Sequence, residues 1–249
     1  MRQIDGADRA VRALEMLGSS PRPLAVGEVA RGLKVHPSTA SRLLGTLAVH
    51  GFVEKDRFGR YLLGTRMVGL AAAAVTLMPV VSQARPELER LAAIVAETTN
   101  LAILDGRHVV YVDQVMPADT VVMASWIGRR SPAHASSSGK VLIAFGDPRV
   151  RRAVLRGKLE RLTSRTVTDP KRLEATLNQV RRQGYAAGMG ELEDGLVTMA
   201  APILVEGHAV AAISLAGPSY RLPERELPRL VRPLIDAAAA AANRISGRS

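Results

Sequence analysis

The residues best placed to do chemistry stand together in Ser136-Ser137-Ser138-Gly139-Lys140, directly after Pro132-Ala133-His134-Ala135. Ser137 and Lys140 form Ser-x-x-Lys, a spacing by which some acyl-transfer enzymes activate a serine. Those enzymes also carry Ser-Asp-Asn and Lys-Thr-Gly partners, and neither occurs in this chain. The five histidines (His36, His50, His108, His134 and His208) are scattered without metal-ligand spacing. The chain has no cysteine, which excludes disulfides, thiol catalysis and thiolate metal sites. The expectation is therefore no enzyme, no metal and no cofactor. What remains for Ser136, Ser137, Ser138 and Gly139 is binding. They immediately precede a helix expected over about 140–145, so hydroxyls and N–H groups converge on a positive helix end, a natural cradle for a carboxylate. The bland alternative is that the serines only cap that helix.

A second group of residues suits nucleic acid. Pro37 to His50 reads as a helix with Ala40, Leu43, Leu44 and Leu47 inside and Ser38, Thr39, Ser41, Arg42 and Thr46 outside. Small outer residues let such a helix approach base edges, and Arg42 supplies a bidentate donor for guanine or phosphate. Between Glu28 and Glu54 there is no carboxylate, while Arg31, Lys34 and Arg42 lie inside that gap. A shorter helix over 26–33 precedes it, and Lys34-Val35-His36 makes the turn between the two. Pro37 falls at a first helical position, where its missing N–H costs nothing. Two strands, 52–55 and 60–63, follow around the turn Asp56-Arg57-Phe58-Gly59, which sets Lys55, Arg57 and Arg60 at a hairpin tip. With an amphipathic helix over 8–17 in front, the order is that of a winged helix-turn-helix.

The rest of the chain must position the serine loop. A helix-compatible stretch after Gly64 leads to Pro79, and a helix covers about 80–97. Strand-like runs follow at LAILD, HVVYVDQV and TVVMASWIG, then helices at about 148–155 and 170–183. Strands return at GYAAGMGE, TMAAPILVE and HAVAAISLAG, and a helix closes the chain over about 223–244. This is an α+β pattern. The expected division is a DNA-binding domain over 1–64, a connecting helix over 65–79 and a larger domain over 80–249. At 249 residues and 47% hydrophobic the chain can build two cores. Net charge is +11 with a sequence pI near 10.9, which favours a polyanionic partner. Residues 1–78 carry 11 basic against 6 acidic groups, and 79–249 carry 23 against 17, so the small domain holds nearly half the excess. Met1 to Asp8 is too polar for a secretory leader. The apolar run 67–81 is broken by Pro79 and too short to span a bilayer. A cytoplasmic location with no membrane partner is expected.

The segment AVGEVARGLKVHPSTASRLLGTLAVHGFVEKDRFGRYLLG resembles the N-terminal domain of the IclR (isocitrate-lyase-regulator) family of bacterial transcription regulators. The resemblance continues through ARPELERLA, ETTNLAILDGRHVVYVDQV, WIGRRSPAHASSSGKVLIAF, RLTSRTVTDPKRLEATLNQVRRQGYA and ELEDGL…MAAPI…AAISLAGP, nearly the whole chain in order. It implies a winged helix-turn-helix joined by a helix to a GAF-like effector domain. It also implies homodimers, often paired into tetramers, on palindromic double-stranded operators, acting as repressors or activators. By motif match Ser137, Ser138, Leu196 and Thr198 line an effector pocket for a small organic acid, with Met123 and Trp126 as apolar wall and Gly188 at its edge. The chain departs from the family at Gly188-Met189-Gly190, where some members carry an acidic residue. That loss, with Trp126, points away from a very small polar acid and toward a bulkier or more apolar one. The rival reading is a DNA-binding structural protein with no small-molecule input. A C-terminal region of about 170 residues is larger than dimerisation requires.

Overall fold

The computed structural model describes residues 5–117 and 125–247, and the chain divides into two compact units, Met1–Leu77 and Met78–Ser249. The first unit contains α1 (Asp5–Ser19), α2 (Val26–Leu33), α3 (Pro37–Val49), the hairpin β1 (Val53–Lys55) and β2 (Tyr61–Leu63), and α4 (Arg66–Thr76). Lys34 ends α2 by turning left-handed at φ 56°, its N–H reaching the Arg31 carbonyl at 3.1 Å while the Val35 N–H reaches Ala30 at 3.0 Å. Three residues later α3 begins on Pro37, with the His36 imidazole accepting the Ser38 N–H at 3.3 Å. The tight turn is thus built from local hydrogen bonds, and it fixes the angle at which α3 leaves α2. Ala13, Leu17, Val29, Leu33, Leu44, Val53 and Tyr61 form the core beneath. In the hairpin Asp56 accepts N–H bonds from Phe58 at 2.8 Å and Arg60 at 2.9 Å, which closes the tip. Leu24 bridges to Tyr61 and gives the hairpin a third, single-residue partner. No residue of α4 is buried.

The second unit is a six-stranded antiparallel sheet between two helical layers. Its strands are β3 (Thr98–Asp105), β4 (His108–Val115), β5 (Arg130–Pro132), β6 (Ala186–Met189), β7 (Leu196–Val205) and β8 (His208–Pro218), in the order β5-β4-β3-β8-β7-β6. Helices α5 (Pro79–Val95) and α9 (Leu227–Ile245) cover one face, packing Leu88, Leu91 and Leu234 on Leu101, Met199 and Ile213. On the other face lie α6 (Ser137–Phe145), α7 (Pro148–Arg156) and α8 (Pro170–Gln183), with Leu142, Val154, Leu173 and Leu177 packed with Ala102, Tyr111 and Ala200. Period-two alternation decides the faces: Val197, Met199 and Ala201 point one way along β7, Leu196, Thr198 and Ala200 the other. Among the described residues no single helix is long and apolar enough to cross a membrane.

Two expectations are revised. Residues 120–128 were expected as a strand; 118–124 lie outside the described residues, and Ser125–Arg129 is not strand. There the Trp126 N–H donates to the Gln114 side chain at 3.2 Å instead of to a ladder, and Gly128 turns the chain at φ 79°. The short edge strand Arg130–Pro132 comes only after that turn. Helix α6 begins at Ser137 rather than Lys140, because Ser136 takes the N-cap and accepts the Gly139 N–H at 3.0 Å. Ser137, Ser138 and Gly139 are therefore its first turn. Gly139 packs against the 3-10 turn Ala133–Ala135, where a Cβ would sit 2.1 Å from the Ala133 carbonyl oxygen. Gly139→Ala must push that turn away from α6. A loss of about 1–3 kcal/mol is expected, read as a lowered thermal midpoint; an unchanged midpoint would show that this contact yields freely.

Candidate functional site

The DNA-facing candidates lie on α2, the turn after it, the first turns of α3 and the hairpin of the first unit. Ser38, Thr39, Ser41 and Arg42 are exposed on the first turns of α3, and Arg31, Lys34 and His36 are exposed at the end of α2 and in the turn. The Arg42 carbonyl accepts the Thr46 hydroxyl at 3.0 Å, but its guanidinium has neither a hydrogen bond nor an ion pair among the described residues, so its fork of donors is uncommitted. The Ser38 hydroxyl is 2.8 Å from His36 Nδ1, so this serine shares its hydrogen bonding with the cap. Across the hairpin tip Arg57 is exposed, whereas the Arg60 guanidinium is tied to Asp56 at 2.9 Å. Both guanidiniums lie over the Phe58 ring, at 4.8 and 5.1 Å. Phe58 is itself 66% exposed. An apolar ring held out between two cations at a hairpin tip suits the sugar edges of a groove. The sequence reading passed over it as part of a turn.

The serine cluster sits at the start of α6, on the α6 side of the sheet, and all of Ser136, Ser137, Ser138 and Gly139 are buried. With the Gly139 N–H capped, the N–H groups of Ser137 and Ser138 are left without an intrahelical acceptor. Burial pushes the Tyr111 hydroxyl up to about 12, against the hydrogen bonds that Ser138 and Ser136 make to it. It remains a neutral phenol. Its ring meets Trp126 edge-on at 5.0 Å, and Arg129 lies 4.3 Å over the indole. Trp126 is almost fully buried and packs in the same cluster as Leu196, Ala135 and Val141. Gly188 pairs with Thr198 in the sheet, and a Cβ there would stand 3.2 Å from the Thr198 hydroxyl. Leu196 also borders a cavity of about 310 Å³ with Arg165, Asp194 and Ser219. Met123 lies outside the described residues.

Several residues of this site were missed from sequence. Lys140 is 1% exposed within a helix buried over all of Ser137–Ala144, and it is ion-paired with Glu191. The carboxylate absent at Gly188 is thus supplied from three residues on: Glu191 Oε1 lies 3.7 Å from the Gly188 Cβ position. The signal was present as a single lysine directly before Val141-Leu142-Ile143-Ala144, a position that needs a charge partner somewhere in the fold. Two cross-strand rows on this face are also polar. Gln114, Asn100 and Ser214 stand side by side in register, as do Thr98, Ala216, Thr198 and Gly188. Among the described residues, six buried side-chain polar atoms have no hydrogen-bond partner. Five of them border this region: Thr98 Oγ1, Asn100 Oδ1, Gln114 Nε2, Ser137 Oγ and Glu191 Oε2. Native interiors leave few such atoms unpaired, and five of the six among the described residues gather on this face of the sheet. No group of three or more His, Asp or Glu that could hold a metal ion occurs among the described residues.

A helix-turn-helix with an uncommitted arginine on its second helix, carried by the same chain as a domain with a polar-floored interior site, defines a DNA-binding transcription regulator. Residues 6–57 match the IclR helix-turn-helix domain, and residues 72–243 match the bacterial transcriptional regulator IclR C-terminal domain. The chain belongs to the IclR family. It is 36% identical over 238 residues to the HTH-type transcriptional regulator BhcR of Paracoccus denitrificans, covering 94% of this chain and 85% of that one. An IclR transcriptional regulator from Alicyclobacillus acidocaldarius superposes with a TM-score of 0.85 at 29% identity, over 98% of this chain and 99% of that one. An IclR homolog from Microbacterium hydrocarbonoxydans, solved in complex with 4-hydroxybenzoate, gives 0.83 at 31% identity over 97% and 99%. These relatives are transcription regulators, not enzymes, and the Ser-x-x-Lys of this chain is a helix start whose lysine is committed to Glu191.

Proposed function

We propose that the chain binds a double-stranded operator as a dimer or tetramer in the cytoplasm and changes its operator affinity when a small organic acid occupies the second unit. The observation that carries the DNA half is the exposed outer face of α3, in a stretch with no carboxylate between Glu28 and Glu54 and with the Arg42 guanidinium uncommitted. Ser38, Thr39, Ser41 and Arg42 face the major groove; Arg31, Lys34, His36, Arg57 and Arg60 hold the backbone on either side. The effector half rests on the first turn of α6. Its free N–H groups and Ser137 would take the carboxylate, with Ser136, Ser138, Gly139, Trp126, Gly188, Leu196, Thr198 and Met123 around the ligand. Support also comes from the 4-hydroxybenzoate complex of the Microbacterium relative. The ligand must bind the two operator-affinity states unequally, since equal affinity shifts nothing.

The test is binding to the intergenic DNA upstream of the chain's own coding region, at several salt concentrations, with and without candidate acids. Sequence-specific, salt-sensitive binding is expected, and an acid that occupies the site should change the affinity at least about fivefold. Operator affinity that stays fixed while an acid demonstrably saturates the second unit would sink the effector half alone.

A further inference from the structure

Resting on the DNA-binding reading but not on the effector one, we infer that the second unit carries a DNA-binding face of its own. It is formed by α7, α8 and the loop between them, and it holds phosphate backbone without reading bases. Charge in this unit is segregated. Residues 147–183 carry 11 basic against 4 acidic groups, which leaves 12 against 13 for the rest of 79–249. The whole excess of the unit therefore lies on one helical layer. Of the four carboxylates, Asp147 is paired with Arg149, Glu174 with Arg151, and Asp169 accepts the Arg172 N–H at 2.8 Å. The cations are not matched in return. Arg152 and Arg156 on α7, Lys158 and Arg165 in the loop, and Lys171 and Arg172 on α8 are all exposed. Their side chains have no hydrogen bond or ion pair among the described residues.

Arg149, Arg152 and Arg156 recur at three and four residues, on the side of α7 away from buried Val154. That row runs about 10 Å along the helix. Helix α8 lies beside it, joined by the bond from Arg151 to Asn178 at 2.7 Å. Where the loop reaches α8, a cavity of about 400 Å³ opens among Arg161, Ser164, Arg165, Thr168 and Arg172. The Arg161 guanidinium is steadied there by the Thr168 hydroxyl at 2.8 Å, and Asp169, on the same wall, is spent on capping α8. Three guanidiniums around one cavity suit a phosphate. A compact anion would use the cavity alone and leave the α7 row idle. Duplex DNA, with a charge about every 1.7 Å of its axis, meets both. DNA is also the polyanion bound by the helix-turn-helix, so a face tethered to that domain meets it at high local concentration.

The experiment measures binding of the intact chain to a random-sequence duplex between about 50 and 200 mM salt. The wild type is compared with Arg165→Gln/Lys171→Gln/Arg172→Gln and with a control, Arg225→Gln/Arg229→Gln/Arg232→Gln. The control loses the same charge from exposed positions around the start of α9. Circular dichroism checks that each variant folds. In the first variant the dependence of log affinity on log salt should become shallower by about two to three, and in the control by clearly less. Position is read directly, because the chain has no cysteine. An iron chelate on Ser164→Cys should cut the bound duplex, and the same chelate on Tyr220→Cys should not. If the first variant misfolds, that pair carries the test. An unchanged slope overturns the inference, whether the face then takes pyrophosphate or polyglutamate in a titration. Equal changes in the two triple variants, or no cutting from position 164, overturn it as well and leave the helix-turn-helix reading standing. A wild-type chain with no salt-dependent affinity for the duplex removes both.

Discussion

Lys140→Met is expected to cost the second unit about 3–5 kcal/mol, the usual penalty for leaving one member of a buried pair unpaired. Methionine fills the volume of the lysine stem, so packing within α6 is conserved and the lost charge is the main change. Lys140 is 1% exposed and the Glu191 side chain 13%, so water reaches only one partner and then only slightly. The loss should therefore fall toward the lower end of that range. The double variant Lys140→Met/Glu191→Leu removes both charges and should recover most of the stability, since apolar replacement of a whole buried pair is often neutral or better. Urea unfolding of the three proteins decides it. A single variant within 1 kcal/mol of wild type would mean that the pair does not hold the loop after β6 in place.

The second large effect belongs to Arg42→Ala. If the guanidinium reads a guanine, operator affinity should fall by about 1–3 kcal/mol, roughly 5- to 150-fold. If it holds a phosphate, the loss should extend to all DNA sequences, and the dependence of log affinity on log salt should become shallower by about one. Measuring specific and nonspecific binding at three salt concentrations separates these outcomes. Stability should stay within about 0.5 kcal/mol, because Arg42 is exposed and its side chain is without partners among the described residues. Operator binding indifferent to Arg42 would remove this residue from the interface.

The helices and strands of the first unit were legible because each boundary is written locally. Pro37 opens α3, Gly51 closes it, and the apolar spacing over 26–33 and 37–50 leaves a turn of only three residues between. The same holds for α8, whose limits 170 and 183 are marked by Asp169-Pro170 and Gly184. The start of α6 was displaced by three residues because Ser-Ser-Gly reads as loop by propensity; tertiary burial and the Ser136 cap override it. The site was half legible. Serine hydroxyls beside a helix start can be read from adjacent residues. The polar rows are invisible in sequence, since Gln114, Asn100 and Ser214 are brought together only by the strand order β4-β3-β8. Lys140 and Glu191, 51 residues apart, meet for the same reason.

The sheet of the second unit ends in two very short strands, β5 with three residues including Pro132 and β6 with four including Gly188. A long, flat rim would offer a template on which further chains could polymerise; these rims offer little more than one ladder step, and proline removes a donor from one of them. The long central pairs β7–β8 and β3–β8 are thereby sealed inside the molecule. Crowding in a cell, or concentration in a test tube, should then leave these two described rims poor seeds for amyloid-like growth.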